Sequence, residues 1–314
     1  MLWQSDVGRV MVLAPKLIKR IDYKASVECG YTNLLHSSVY ISQLNDHING
    51  TCELAMHEIK SKVDFLAGCM TITLDHPINE LEFLRVRLCE GQNFTNVDDL
   101  SYIKKTSCTF PKAGRLNLTG QALFYASVAI KQDDTALRVV LSEAQAKQLD
   151  HLNVLRSHQV IGTDIYLRII GIWDQVRRNE KPYYLSQDTF EYYTKARKYM
   201  AKKFSQELLL AYELTDRFFA DILSREGNER LYQVTSALSN VFLTEKCDGV
   251  LYSSVKAKGE PVVALKPQVV DDKLVHQFAT EVLIDKSFGY EYYQFRTLTK
   301  TSSIGRESGK LEWS

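Results

Sequence analysis

Between residues 37 and 67 the apolar positions Ile41, Leu44, Ile48, Cys52, Ala55, Ile59, Val63 and Leu66 recur at steps of three and four. That spacing lays one stripe along an α-helix, or along two helices parted at Gly50. Residues 1–36 are mixed, and Lys16, Lys19 and Arg20 read as a solvated basic face. Together these segments predict a helical N-terminal module over residues 1–78, which either packs on the rest of the chain or offers a surface to another protein.

The period changes after Pro77. Residues 81–88 alternate, as a strand that sends side chains to opposite faces with period two. Arg85 and Arg87 then share one face, with Leu84, Val86 and Leu88 on the other. Two guanidinium groups side by side repel unless an anion or a carboxylate lies between them; the alternative is a solvent-facing edge strand. Residues 89–110 read as a loop with a short helical piece near Asn96. Residues 123–126 are apolar and aromatic, as strands prefer. Residues 135–146 have helical spacing, with Asp134 at the cap position and Glu143 at the margin of the buried face. Residues 161–173 read as an Ile-rich strand interrupted by Asp164 and Arg168. Residues 189–223 form a long helical region whose aromatics, Tyr192, Tyr193, Phe218 and Phe219 among them, suit a core. Residues 231–243 form a further helix with Tyr232, Leu238, Val241 and Phe242 on its apolar side. Short strands follow at 250–252 and 262–265, each after a turn signal. The end of the chain has an aromatic cluster (Tyr290, Tyr292, Tyr293, Phe295) and then a polar stretch expected to fray.

Composition narrows the class. The chain has 314 residues, 45% hydrophobic and 25% charged, which are the proportions of an ordinary globule of one large or two smaller domains. A net charge of +1 leaves no electrostatic footprint for direct nucleic-acid binding. No apolar run approaches the ~20 residues of a membrane span, and Met1-Leu2-Trp3 does not begin a signal peptide. The six cysteines are scattered with no Cys-x-x-Cys, which suits buried structural thiols in a reducing cytoplasm. The seven histidines include no His-x-x-x-His pair, so no metal site is expected.

The candidate chemistry lies in three places. Gly114-Arg115-Leu116-Asn117-Leu118-Thr119-Gly120 puts an arginine and an asparagine between two glycines, just before Phe124-Tyr125-Ala126-Ser127. The arginine offers a planar, permanently charged fork for phosphate or carboxylate, Asn117 suits bracing of the loop, and Tyr125 offers a flat face with a hydroxyl. Arg85 and Arg87 are further cations. Asp248-Gly249-Val250-Leu251-Tyr252-Ser253-Ser254 ends a strand in hydroxyls.

In this order the blocks resemble the RES domain, over residues from about 80 to about 270. The resemblance implies an α+β fold with an ADP-ribosyltransferase-like mixed sheet, the helical N-terminal module, a helical insertion, and a catalytic domain over residues 79–314. It implies an enzyme that degrades NAD by cutting the nicotinamide–ribose bond, with phosphate or water as acceptor. No cofactor is implied, since NAD is the substrate. Many members are toxins held by an Xre-type antitoxin, which makes such a protein an expected partner; the chain itself is expected to be cytoplasmic. The resemblance assigns Arg115, Tyr125, Glu143 and Ser254 to catalysis, and Arg85, Arg87, Asn117 and Tyr252 to substrate binding. Ser254 is expected to hydrogen-bond the ligand. The acid follows from register. In the longer register Glu143 supplies it, whereas in the shorter one the position falls on Arg138. The same fold type also admits transfer of ADP-ribose to a macromolecule, and an Arg at the acid position would leave a non-catalytic binding protein.

Overall fold

A computed structural model of the chain describes residues 12–68, 77–104, 111–129, 134–257 and 259–314. The N-terminal stripe becomes α2 (Gly30–Asn49) and α3 (Met56–Gly68), preceded by α1 (Pro15–Val27). Gly50 parts them: its backbone is left-handed (φ 80°), and its N–H closes the end of α2 on the carbonyls of Asp46 and His47. Leu44, Ile48, Ile59 and Val63 from this stripe lie in one apolar cluster with Phe219, Leu238, Phe242 and Val250. The N-terminal helices therefore share a core with the later chain.

After β1 (Glu82–Leu88) and α4 (Val97–Leu100) come β2 (Phe124–Ala129), α5 (Thr135–Glu143), β3 (His151–Gln159) and β4 (Leu167–Ile169). A helical block follows, α6 (Ile172–Arg178), α7 (Gln187–Lys203), α8 (Gln206–Ser224) and α9 (Glu229–Phe242). The chain closes with β5 (Gly249–Ser253), β6 (Pro261–Leu265), α10 (Pro267–Lys273), β7 (Leu274–Gly289), β8 (Tyr292–Ile304) and β9 (Leu311–Trp313). Among the described residues the strands form one mixed sheet in the order β4-β5-β6-β2-β1-β3-β7-β8-β9, and only β4 and β5 run parallel. The α+β class expected from sequence is thus present. Among the described residues no helix is long and apolar enough to cross a membrane.

Alternation on β5 and β6 explains why helices cover both faces of that half. Leu251, Val263 and Leu265 enter one apolar cluster with α1 and α7, while Val250, Tyr252, Val262 and Ala264 enter the other with α2, α3, α8 and α9. Strand β1 is no solvent-facing edge, because it pairs with β2 on one side and β3 on the other. Its two pairings have different lengths. β1 stays with β3 from Glu82 to Leu88, but with β2 only as far as Leu84, opposite Ser127. Beyond that point β2 continues with β6, and the sheet opens between Arg85 and Ala126.

Four expectations need correction. The strand over 161–173 is confined to Leu167–Ile169. Gly171 (φ 86°) turns the chain there, and the buried Asp216 carboxylate accepts the N–H groups of Gly171 (2.8 Å) and Trp173 (3.0 Å), starting α6. The region 189–223 is two helices, because Ser205 is extended and its hydroxyl caps α8 by accepting from Leu208 N–H (3.2 Å). The tail is a β-hairpin and a final strand, and the Trp313 indole N–H donates to the Phe94 carbonyl (2.8 Å). Cys89 and Cys247 are buried, but Cys29 and Cys52 are exposed; Cys69 and Cys108 lie outside the described residues.

Gly249 shows how closely β5 and β6 approach. A Cβ there would stand 2.6 Å from the Ala264 carbonyl oxygen and 2.6 Å from Leu265 Cδ2. Gly249→Ala is expected to cost about 1–3 kcal/mol, read as a lower urea midpoint at unchanged slope; an unchanged midpoint would contradict this spacing.

Candidate active site

The opening between β1 and β2 is the floor of a cavity of about 390 Å³. Its walls include Arg85 and Val86 from β1, Tyr125 and Ser127 from β2, Arg115 from the preceding loop, Glu143 and Gln145 at the end of α5, Tyr232 from α9, Tyr252 from β5, and Lys256. Its size lies within the range of small-molecule sites.

Arg85 spans the gap. Its Nη1 donates to the Tyr125 carbonyl (2.7 Å), and its Nε donates to the carbonyls of Leu100 and Ser101 (3.0 Å each). The Phe124 ring lies 5.5 Å from the guanidinium. Among the described residues Nη2 has no hydrogen-bond partner and no carboxylate pairs with the group. Burial pulls Arg85 down to about 9, and the neighbouring Arg87 charge adds to the shift. Arg87 does share the Arg85 face, since its Nη2 donates to the same Ser101 carbonyl (3.3 Å). It does not line the cavity, however, and Asp99 offsets part of the burial that lowers it.

The Gly114–Gly120 loop is a hydrogen-bonded unit centred on Asn117. Its Nδ2 donates to the carbonyls of Lys112 (2.9 Å), Leu118 (3.1 Å) and Gln121 (2.9 Å), and its Oδ1 accepts from the Tyr125 hydroxyl (2.7 Å). That hydroxyl in turn accepts from Leu116 N–H (3.0 Å). Gly114 is required because a Cβ would run into Asn117 Oδ1. Asn117 is 3% exposed and lies outside the cavity wall, so it braces the loop and is not placed to touch a ligand. The Tyr125 hydroxyl is likewise committed to the loop, and burial raises its pKa above the usual tyrosine range. What Tyr125 offers the cavity is its ring.

Of the two residues that the registers offer as the acid, Glu143 lines the cavity and Arg138 does not. Glu143 Oε1 accepts from the Ser254 hydroxyl, from Val255 N–H (3.0 Å) and from Lys256 N–H (3.4 Å), while Oε2 has no partner among the described residues. One oxygen is fixed by the turn after β5 and the other is left for the cavity. Arg138 lies elsewhere, paired with Asp134 (3.1 Å) and set 5.3 Å from the Tyr292 ring. Asp134 thus occupies the cap position without a side-chain capping bond.

Ser254 departs from its expected role. It is 0% exposed, donates to Glu143 and accepts from Ala257 N–H (2.8 Å). It is placed to hold the carboxylate, not the ligand. Tyr252 does line the cavity, and burial raises its pKa well above the usual range. Asp248, in the same block, is structural: its carboxylate accepts from Tyr166 N–H (2.8 Å) and pairs with Lys273 (2.8 Å).

Sequence reasoning missed Tyr232, Gln145 and Lys256 as cavity residues. Tyr232 has the spacing of a core position on α9, and Lys256 follows Ser254 by two, which is the only local signal for it. No protein-family model, curated protein or solved structure matches the chain.

Asn117→Ala would leave three carbonyls and the Tyr125 hydroxyl short of a partner. It is expected to cost about 2 kcal/mol or more, measured by urea unfolding. A loss within about 0.5 kcal/mol, the scale of ordinary surface changes, would contradict the bracing role.

Proposed function

We propose that the chain degrades NAD by cleaving the bond between nicotinamide and ribose, on an ADP-ribosyltransferase-like core split at β1 and β2. The observation that carries this reading is one cavity that gathers Arg85, Arg115 and a half-free Glu143 carboxylate from segments far apart in sequence. Arginine forks suit a pyrophosphate, through charge-assisted and often bidentate bonds. Arg85, which has no carboxylate partner among the described residues, gains most from such an anion. Tyr125 and Tyr252 supply flat walls for the nicotinamide ribosyl end.

In the reaction the C–N bond breaks with its electron pair going to the nicotinamide nitrogen, which loses its positive charge. The ribose is left oxocarbenium-like, and the unshared Glu143 Oε2 stabilises that charge or holds the ribose hydroxyls, as carboxylates do in glycoside cleavage. Water or inorganic phosphate then forms the new C–O bond and gives up any proton to solvent. The role of Ser254 is to fix Glu143 by its other oxygen. A cytoplasmic toxin restrained by an Xre-type partner is the setting that the RES resemblance adds to this reading.

Incubation with NAD is expected to release free nicotinamide together with ADP-ribose, or its 1″-phosphate when phosphate is present. Glu143→Gln should lower that turnover by about 10²-fold or more, the scale for losing one electrostatic stabiliser. Unchanged turnover in Glu143→Gln would remove the acid from its role, and label transferred to a macromolecule would favour an ADP-ribosyltransferase instead. Wild-type protein that leaves NAD intact would favour a binding protein.

A further inference from the structure

Arg115 makes few bonds of its own. Its Nη1 donates to the Ile222 carbonyl in the last turn of α8, at a long 3.4 Å. Its guanidinium lies 5.7 Å from the centroid of the Tyr232 ring, in the first turns of α9, within the range of cation–π attraction. The ring has a firm seat. A Cβ on Gly227 would meet Tyr232 Cζ at 3.4 Å, so the α8–α9 turn closes over the ring. Asn228 starts the helix by accepting from Leu231 N–H (2.9 Å). The same corner reaches a second cavity residue, since Glu226 pairs with Lys256 (2.6 Å). α2 supports the corner from outside: Arg225 donates to Asn45 (3.0 Å), and Asn228 to the Ile48 carbonyl (3.5 Å). Among the described residues no hydrogen bond involves the Tyr232 hydroxyl, so the contact with Arg115 is made by the ring.

We propose that Tyr232 is a positioning residue: its ring, seated on the α8–α9 corner, holds the Arg115 fork over the cavity and thereby sets affinity for the anionic part of the ligand. This rests on reading the cavity as a site for a pyrophosphate-bearing dinucleotide. The helical block is then part of the site and more than cover for the sheet. A fork held by a long hydrogen bond and a ring face can swing away when the ring is removed, and the ligand then has to pay for ordering it.

The test is calorimetric titration of the full chain with ADP-ribose, alongside NAD turnover. Tyr232→Leu and Tyr232→Ala are expected to weaken ADP-ribose binding about three- to thirtyfold, the span of one cation–π contact. Tyr232→Phe should stay within about twofold of wild type, because it keeps the π-face. In turnover, KM should rise with kcat little changed, the mark of lost binding shared by ground and transition states. Combining Tyr232→Leu with Arg115→Ala should be no worse than Arg115→Ala alone. Full affinity in Tyr232→Leu, or an effect that adds to Arg115→Ala, would overturn the inference. Tyr232→Leu keeps apolar bulk at the corner should Tyr232→Ala fail to fold. Wild-type protein that binds ADP-ribose but leaves NAD intact would sink the proposed reaction and not the role of Tyr232; wild-type protein that binds no ADP-ribose would overturn both.

Discussion

Strands β1 and β2 part company at Arg85, and the site is built in the space that their parting makes. Up to Leu84 and Ser127 they are ordinary neighbours; past that pair each follows a different partner. Arg85 stands in the fork and ties the two sides together through the Tyr125 carbonyl, with Leu100 and Ser101 holding it from the α4 side. Three carbonyls satisfy hydrogen bonds but do not neutralise a charge. With Arg87 alongside and no carboxylate paired with it among the described residues, the floor of the cavity is a half-buried cation. Drawing a charge out of water is costly unless something pairs with it, and this is the physical ground for the phosphate-bearing ligand proposed above.

The other walls follow from what each neighbouring element can anchor. α5 packs across β1 and β2 and ends at Glu143, so the acid arrives at the mouth of the opening. The turn after β5 then fixes one carboxylate oxygen through Ser254, Val255 and Lys256. On the other side the Asn117 hub stiffens the loop that carries Arg115 and locks the Tyr125 hydroxyl. The cavity is therefore cationic where Arg85 and Arg115 enter and acidic at Glu143. The proposed reaction draws on that polarity, with an anionic middle to the ligand and a sugar that becomes positive as it reacts.

Much of this was legible in the chain because it is decided locally. Gly50 breaks the N-terminal stripe, alternation marks β1, and the spacing of Gly114, Asn117 and Gly120 closes a loop that can form in only a few ways. Reading the motifs in order also brought Arg85, Arg115, Tyr125, Glu143 and Tyr252 together. What escaped was decided at a distance. The strand expected over 161–173 is cut short by Gly171 and by a carboxylate from α8, Asp216, some forty residues on. The β7–β8 hairpin carries several register shifts and many polar residues, so no simple period announces it. Ser254 and Asn117 stand out in the chain by residue type and spacing. Whether their polar atoms face a ligand or the protein depends on which element lies opposite, and for both it is protein. Tyr232 has the helical spacing of its buried neighbours, and only the α8–α9 corner turns it toward the cavity.

The most direct measurement is a crystal structure of the chain with ADP-ribose bound. The pyrophosphate should lie between the guanidinium groups of Arg85 and Arg115, with the ribose against the free oxygen of Glu143 and Ser254 still behind it. A ligand seated outside the β1–β2 opening, or one whose phosphates touch neither arginine, would contradict the assignment of this cavity.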